Sequence, residues 1–504
     1  MVVERPGGKR GQAWRVGLTD GRIVPLSLDS AAQRKLKIND VVLVHLSEGE
    51  RKTSARAELR VRPQVQGAAV VLENKTGRIL AMTGAFSYPL SQLNRATQAV
   101  RQPGSAIKPL TYLAALGKGL QPNTLISDGA ITLRPIGLRK ARETDYWSPK
   151  NYDGRGGGTL TMRQALENSR NRATAHLLKG GIESEPEASL DRICDLAVEA
   201  QIYRECPRFY PVVLGAQPVR PVDLAAFYAA IANEGLRPSP YVVESIERDG
   251  ENVFRREPKL VAINSVDRAA FYQLKSLLQG VLAHGTARSI AALSPYVAGK
   301  TGTTDDENDV WFVGFTNDVT VAVWLGYDNA GGRRRTLGSG STGGAVAVPV
   351  FEPIIHAVWA LVTPKEALSP PSPEARLQLS CKSTRVESEG SRRRRGEAIG
   401  ECLRVDGHGR VLDTRYRLVS RESDRESRGE LAIRKKVEPA EKSEPASVFE
   451  TQHRALWNTN PWQVAPQQTL PRGGVPFDNG RRGAAPRNLQ GPGHDNSIFD
   501  WLRD

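Results

Sequence analysis

Residues 297–328 read VAGKTGTTDDENDVWFVGFTNDVTVAVWLGYD. Three runs in and beside this stretch, YVAGKTG (296–302), DVWFVGFT (309–316) and VTVAVWLGYD (319–328), are rich in β-branched and aromatic residues. Only Asn317 and Asp318 separate the last two, so the pattern predicts three consecutive strands with a tight turn between the second and third. Helical signals come before them. PVDLAAFYAAIANEG (221–235) begins with proline and ends with glycine, and FYQLKSLLQGVLAHGTA (271–287) continues the helical character, with Thr286 read as the cap of a following helix. Further upstream, AAVVLE, NKTG and RILAMTG (68–84) predict a β-hairpin. A strand, helices, strand order is that of an α+β fold. It also separates two copies of one tripeptide: Lys75-Thr76-Gly77 falls in a hairpin turn, whereas Lys300-Thr301-Gly302 falls on a strand.

Between these strands lie two further clusters of reactive side chains. GSAIKPLTYLAALGKG (104–119) predicts a helix starting near Ser105, with Pro109 tolerated in its first turn and Ile107, Leu110, Leu113 and Ala114 on its apolar face. Ser105 and Lys108 are three apart, which places hydroxyl and amine on one face. A serine needs a base to become a nucleophile, and a desolvated lysine can shed its own proton to serve as one. TMRQALEN carries a Thr161–Gln164 capping box, and the helix it starts pauses at Ser169-Arg170-Asn171 before ATAHLLK resumes. Such a break can project Ser169 as a proton carrier and Asn171 as an amide partner into a cleft. On the 300–303 strand, Lys300 supplies a cation, Thr301 and Thr303 supply hydroxyls, and Gly302 leaves room for a substrate backbone alongside. Each cluster by itself also fits plain helix surface, capping loop or strand. Ser-x-x-Lys, Ser-x-Asn and Lys-Thr-Gly in this order form the signature set of serine acyl-transfer enzymes that react with β-lactams.

Composition narrows the alternatives. The chain has 504 residues, a net charge of +15, 47 glycines and 32 prolines. No zinc spacing, RNP-like strand or helix-turn-helix accompanies the basic charge, so Arg-rich stretches such as GSRRRRGE read as solvated loops or contacts with anionic polymers, not as a nucleic-acid surface. Cys194, Cys206, Cys381 and Cys402 have no metal spacing, no metal or other cofactor is indicated, and the favoured reading of Cys194 and Cys206 is two unpaired buried thiols. No signal peptide and no run near 18 apolar residues is visible. Residues 1–62 alternate short β-like runs and form a small β module; 63–362 form the main domain; 363–504 are rich in Pro, Ser, Arg and Glu and read as a mostly disordered tail. Within that tail, ECLRVDGHGRVLDTRYRLV alternates enough for a hairpin and SIFDWLRD has the character of a docking peptide.

The stretches NRATQAVRQPGSAIKPLTYLAAL, WSPKNYDG, TLTMRQALENSRN, VVLGAQPVRPVDLAAFYAAIANEGLRPSP, HGTA, AGKTGTT, DVWFVGFT and VWLGYDN together resemble the transpeptidase domain of class A penicillin-binding proteins from about Gln66 to Ile355. The resemblance implies the penicillin-binding transpeptidase or serine β-lactamase-like fold, an antiparallel sheet flanked by helices, with the first sixty residues similar to the family's OB-like insert. It implies a peptidoglycan DD-transpeptidase: Ser105 attacks the penultimate D-Ala carbonyl of a stem peptide with Lys108 as base, Ser169 and Lys300 pass the proton to the leaving amine, and Asn171 holds the donor amide. Thr301 and Thr303, helped by Lys300 and the open backbone at Gly302, receive the terminal carboxylate, and the amides of Ser105 and Thr303 form the oxyanion hole. Partners so implied are stem peptides and glycan strands, β-lactams as inhibitors, and a separate glycosyltransferase or membrane-anchored protein, at the periplasmic face of the inner membrane. The family's anchor and glycosyltransferase are not recognisable in residues 1–60, which reads as the C-terminal part of a bifunctional enzyme.

Other functions of the same fold stay open at this point. A DD-carboxypeptidase uses the same residues with water as acceptor, and a penicillin-binding receptor or scaffold acylates without turnover. A serine β-lactamase needs a glutamate for deacylation, and Glu185 and Glu187 in ESEPEASL read instead as a solvated linker. His176 reads as packing or surface, since a lysine already serves as base.

Overall fold

The computed structural model describes residues 1–4, 13–28, 30–47, 55–60, 63–89, 91–138, 140–328, 334–385 and 398–412. The GSRRRRGE and SIFDWLRD stretches lie outside them. The first strands are β1 (Val2–Glu4), β2 (Trp14–Gly17), β3 (Ile23–Ser27), β4 (Leu43–Ser47) and β5 (Arg56–Arg60), with a short helix α1 (Ser30–Lys35). They form a five-stranded sheet in the order β1-β2-β3-β5-β4, with a core of its own made by Val2, Trp14, Val16, Val24, Leu26 and Ala57.

The main sheet is built from β6 (Gln66–Glu73) and β7 (Ile79–Thr83), then, more than two hundred residues on, β14 (Ala298–Thr303), β15 (Asp309–Phe315) and β16 (Val319–Gly326). Its order is β14-β15-β16-β6-β7 with every pair antiparallel, so the two predicted hairpins meet along β16 and β6, with Val321 opposite Val71. All of β15 is buried, which explains its unbroken apolar run. Alternation along it divides the core: Trp311 and Phe315 face one side, where Trp311 Nε1 donates to Gln102 O and Phe315 meets Tyr228, while Phe312 faces the other and packs edge-on against Phe351 at 4.7 Å.

The helices lie between and around these strands. α2 (Lys108–Gly117) follows a 3₁₀ turn at Gly104–Ile107. The small strands β8 (Leu125–Ser127) and β9 (Thr159–Thr161) pair and lead into α3 (Met162–Glu167), whose Thr161–Gln164 capping box forms as predicted, and then α4 (Asn171–His176). Next come α5 (Pro186–Glu199) and α6 (Pro221–Ala232), the small strands β10 (Leu236–Pro238), β11 (Ser245–Arg248), β12 (Glu251–Arg255) and β13 (Leu260–Ala262), and α7 (Arg268–Ala283). α8 (Val348–Leu361) closes the sheet's second face through Phe351 and Ile355. Finally α9 (Pro373–Leu377), β17 (Leu379–Arg385) and β18 (Ala398–Arg404) return to the domain.

Several expectations change. The ESEPEASL segment is no linker: Glu185 is the N-cap of α5, with proline in its first turn and Glu187 complementing the helix dipole there. Cys194 is bonded to Cys206 and Cys381 to Cys402, so the thiols are not unpaired. Of the stretch 401–419, residues 401–412 are described, and they turn back on themselves with Val405 bridged antiparallel to Val411 and Leu412 N donating to Arg404 O, while β18 also pairs with β17, which sets Cys402 opposite Cys381. Thr286 caps no helix; the turn that follows it has Ala287 at its N-cap without a side-chain bond. Among the described residues one helix, Gly343–Leu361, is long and apolar enough to cross a membrane, with mean hydropathy 1.6, although prolines and Glu352 interrupt a strict apolar run. Its Val348, Phe351, Ile355 and Val358 are buried against the domain.

Candidate active site

Ser105 lies half-buried in the 3₁₀ turn, not in the α-helix itself. With three residues per turn, that geometry eclipses positions i and i+3, and the amide of Lys108, the first residue of α2, closes the turn onto Ser105 O. The turn is pressed against the end of β14. Gly104 adopts φ +50°, and a Cβ on it would meet Thr303 O at 2.5 Å. A Cβ on Gly302 would meet Pro103 O at 2.4 Å and Ala106 Cβ at 2.9 Å. The space left by Gly302 is therefore filled by the Ser105 turn and not by a substrate backbone. Gly302→Ala is expected to push the turn away from β14, costing about 1–3 kcal/mol as overpacking does. The check is a lowered melting temperature accompanied by slower acylation of Ser105.

Lys108 is fully buried and donates to Ser169 O (2.7 Å), Asn171 Oδ1 (2.6 Å) and Ser169 Oγ (3.3 Å). Lys300 is also fully buried and donates to the same Ser169 Oγ (3.0 Å) and to Thr301 O (3.1 Å). One hydroxyl thus sits between two amines. Burial holds Lys108 well below the usual lysine range, and the cations of Lys300 and Arg170 push the same way. Burial alone lowers Lys300 to about 7. Two adjacent ammonium groups away from water are mutually unfavourable, so the pair is set up to share fewer than two protons near neutral pH. In the amine form Lys108 keeps two N–H donors, enough for Ser169 O and Asn171 Oδ1, and leaves a lone pair able to take a proton.

Ser169 breaks the helix because it adopts φ +55° between α3 and α4. Left-handed backbone at a non-glycine residue is strained and persists only where its surroundings hold it. Those surroundings include Asn151 and Asp128. Asn151 Oδ1 accepts from the amides of Asn171 (2.8 Å) and Arg172 (3.2 Å), so a distant loop caps α4. Asn151 Nδ2 is held in turn by Asp128, and Asp128 also takes two bonds from Arg170, at 3.0 and 2.7 Å. The motif WSPKNYDG was visible in the sequence, but nothing local marks Asn151 as the cap of a helix twenty residues on.

The pleat of β14 divides its four predicted residues. Lys300 and Gly302 face the Ser105 turn, while Thr301 and Thr303 face the opposite way: Thr301 Oγ1 is 2.6 Å from Thr286 Oγ1, and Thr303 Oγ1 accepts from Gly343 N at 3.0 Å. Because β14 is the edge strand, Thr301 Oγ1 still lies 3.5 Å from Lys300 Nζ. His176 packs inside, its Nε2 3.3 Å from Gly129 O. Among the described residues no three His, Cys, Asp or Glu side chains are grouped to hold a metal. The cluster has the parts of a nucleophilic acyl-transfer centre: a hydroxyl on a turn, an amine of depressed basicity on the residue whose amide closes that turn, and a second hydroxyl and amine able to return a proton.

A family model described as the penicillin binding protein transpeptidase domain matches residues 67–190 and 215–356. The chain is similar to penicillin-binding protein 1A of Rickettsia conorii, 34% identical over 339 residues that cover 63% of this chain and 40% of that protein. It is likewise 34% identical to penicillin-binding protein 1A of Neisseria lactamica over 363 residues, covering 70% and 42% respectively. Among solved structures, that of penicillin-binding protein 1A from Haemophilus influenzae superposes with a TM-score of 0.65 at 23% identity, covering 82% of this chain and 62% of the other. The chain spans about two fifths of the length of the curated relatives it matches.

Proposed function

The chain belongs to the penicillin-binding protein transpeptidase family, and from that membership we propose that it crosslinks peptidoglycan as a serine DD-transpeptidase. The single observation that carries the reading is the Ser169 hydroxyl held between the buried amines of Lys108 and Lys300, beside the turn that bears Ser105. Lys108 takes the Ser105 proton as the oxygen attacks the penultimate D-Ala carbonyl of a donor stem peptide. Ser169 and Lys300 carry a proton to the departing D-Ala amine, leaving an acyl-enzyme on Ser105. Asn171 orients the donor's amide, and the hydroxyls of Thr301 and Thr303 with the Lys300 charge receive its terminal carboxylate. The amides of Ser105 and Thr303 face the oxyanion, the kind of preorganised pair whose single loss costs roughly a hundredfold or more. An amine of a neighbouring stem peptide then attacks the ester, and β-lactams enter as donor mimics.

The site of action is outside the cytoplasm, at the periplasmic face of the inner membrane. Two disulfides support this, because such bonds persist in oxidising compartments. The test is labelling with fluorescent penicillin, followed by incubation with a donor peptide ending in D-Ala-D-Ala and a labelled D-amino acid. Covalent labelling together with exchange of the labelled amino acid into the peptide is expected. Release of D-Ala without exchange would make the protein a carboxypeptidase, labelling with neither a receptor, and absence of labelling would remove the assignment.

A further inference from the structure

β18 runs across the ends of the helices that carry the candidate site. Glu401 on it is buried and accepts two bonds from Arg163 of α3, Nε to Oε2 at 2.6 Å and Nη2 to Oε1 at 2.7 Å. Cys402 O accepts from Gln273 Nε2 of α7 at 2.9 Å. Arg404 donates twice to Asp267, the N-cap of α7, at 2.8 Å each, and to Leu116 O in the last turn of α2 at 3.2 Å. The Cys381–Cys402 bond anchors the residue next to Glu401. One strand thus joins the helix after Ser105, the helix before Ser169 and the helix that precedes β14.

Arg163 carries the connection inward. Its Nη1 donates to Glu167 Oε1, one turn further along α3, at 3.1 Å, and to Ser276 O at 3.1 Å. Burial pulls against its charge, but the Glu401 carboxylate, then that of Glu167, hold Arg163 above its ordinary basicity. Glu167 O accepts from the amide of Thr286 at 3.1 Å, and Thr286 Oγ1 meets Thr301 Oγ1 on β14 at 2.6 Å. Two residues beyond Glu167 stands Ser169 in its left-handed conformation. Without Glu401, a buried guanidinium would be left with one carboxylate in place of two, and α3 would be free to shift at the end that bears the strained serine.

We propose that Glu401, held by the Cys381–Cys402 disulfide, is a positioning residue for the acyl-transfer site, acting through Arg163 and α3 on Ser169 and through Glu167 and Thr286 on Thr301. Both Glu401 and the disulfide lie outside the residues matched by the family model, so this device belongs to the segment that follows the common domain. It rests on the transpeptidase reading and makes acylation depend on an oxidised C-terminal hairpin.

The test uses the whole chain. Saturating fluorescent penicillin counts competent molecules, and time courses over a range of penicillin concentrations then separate the limiting acylation rate from the half-saturating concentration. Glu401→Ala is expected to lower the limiting rate per competent molecule about tenfold, the scale of coupling carried by packed networks, with half-saturation little changed. Glu401→Asp should recover most of the rate, and the double variant Cys381→Ser/Cys402→Ser should fall between. Glu401→Gln keeps the side-chain shape and serves if the alanine variant does not fold. Wild-type limiting rates per competent molecule in Glu401→Gln and the double serine variant, whatever their melting temperatures, would overturn the positioning role alone. Failure of the wild type to label would overturn the functional reading and this inference together.

Discussion

Ser105→Ala is expected to abolish covalent labelling by penicillin, with acylation falling by at least about 10⁴-fold, the scale seen when the nucleophile of a serine enzyme is removed. The loss should be chemical and not structural. The 3₁₀ turn keeps its backbone bonds, including Lys108 N to Ser105 O, and Ser105 contributes only a half-buried hydroxyl. The melting temperature should therefore stay within a few degrees, a surface-like change of about 0.5 kcal/mol or less. Lys108 remains buried among Ser169 O, Asn171 Oδ1 and Ser169 Oγ, but the hydroxyl that would attack and yield its proton is gone. Intact-protein mass spectrometry after exposure to penicillin reads the result directly: the wild type gains the mass of one antibiotic and the variant gains none. A full mass gain in Ser105→Ala would move the nucleophile to Ser169, whose hydroxyl lies within hydrogen-bond reach of both lysines, and would require the proton path to be redrawn.

The parts of the fold readable from sequence are those fixed by neighbours along the chain. The Thr161–Gln164 box starts α3, Pro221 opens α6, and the Asn317–Asp318 turn joins β15 to β16, because caps, prolines and tight turns act within a few residues. Pairings across the chain are another matter. Cys194 reaches Cys206 because the chain leaving α5 turns back, and Cys381 reaches Cys402 across a pairing of two strands that no periodicity announces. A short amphipathic helix such as α5 was hidden behind its acidic first turn, whose glutamates suit the helix N-terminus as well as they suit a solvated loop. At the site, the i+3 step from Ser105 to Lys108 and the i+2 step from Ser169 to Asn171 are local and were legible. The meeting of Lys108 with Ser169 and of Ser169 with Lys300 spans 61 and 131 residues, and only the order of motifs pointed to it. Asn151, Asp128 and Thr286 act through partners away in sequence: Asn151 through the amides of Asn171 and Arg172, Asp128 through Asn151 and Arg170, and Thr286 through Thr301.

The two Lys-Thr-Gly tripeptides give the second large effect. Lys300→Ala should slow acylation by roughly 10²–10³-fold, within the range lost with a general acid–base group, while Lys75→Ala should leave the rate within about twofold of wild type. Lys75 is exposed in the turn between β6 and β7, whereas Lys300 is fully buried and bonded to Ser169 Oγ. The pH dependence separates loss of a proton carrier from simple damage. In the proposed mechanism the acid limb of the wild-type acylation rate is set by the Lys108–Lys300 pair and is expected to fall as pH drops through about 7, to which burial lowers Lys300. The Lys300 cation disfavours a second charge on Lys108, so removing it makes the ammonium form of Lys108 easier to hold and raises that group's pKa. The residual acylation of Lys300→Ala should accordingly show its acid limb displaced to higher pH, while Lys75→Ala keeps the wild-type profile. Equal losses in the two variants, or a limb displaced to lower pH in Lys300→Ala, would break the electrostatic link between the two buried lysines.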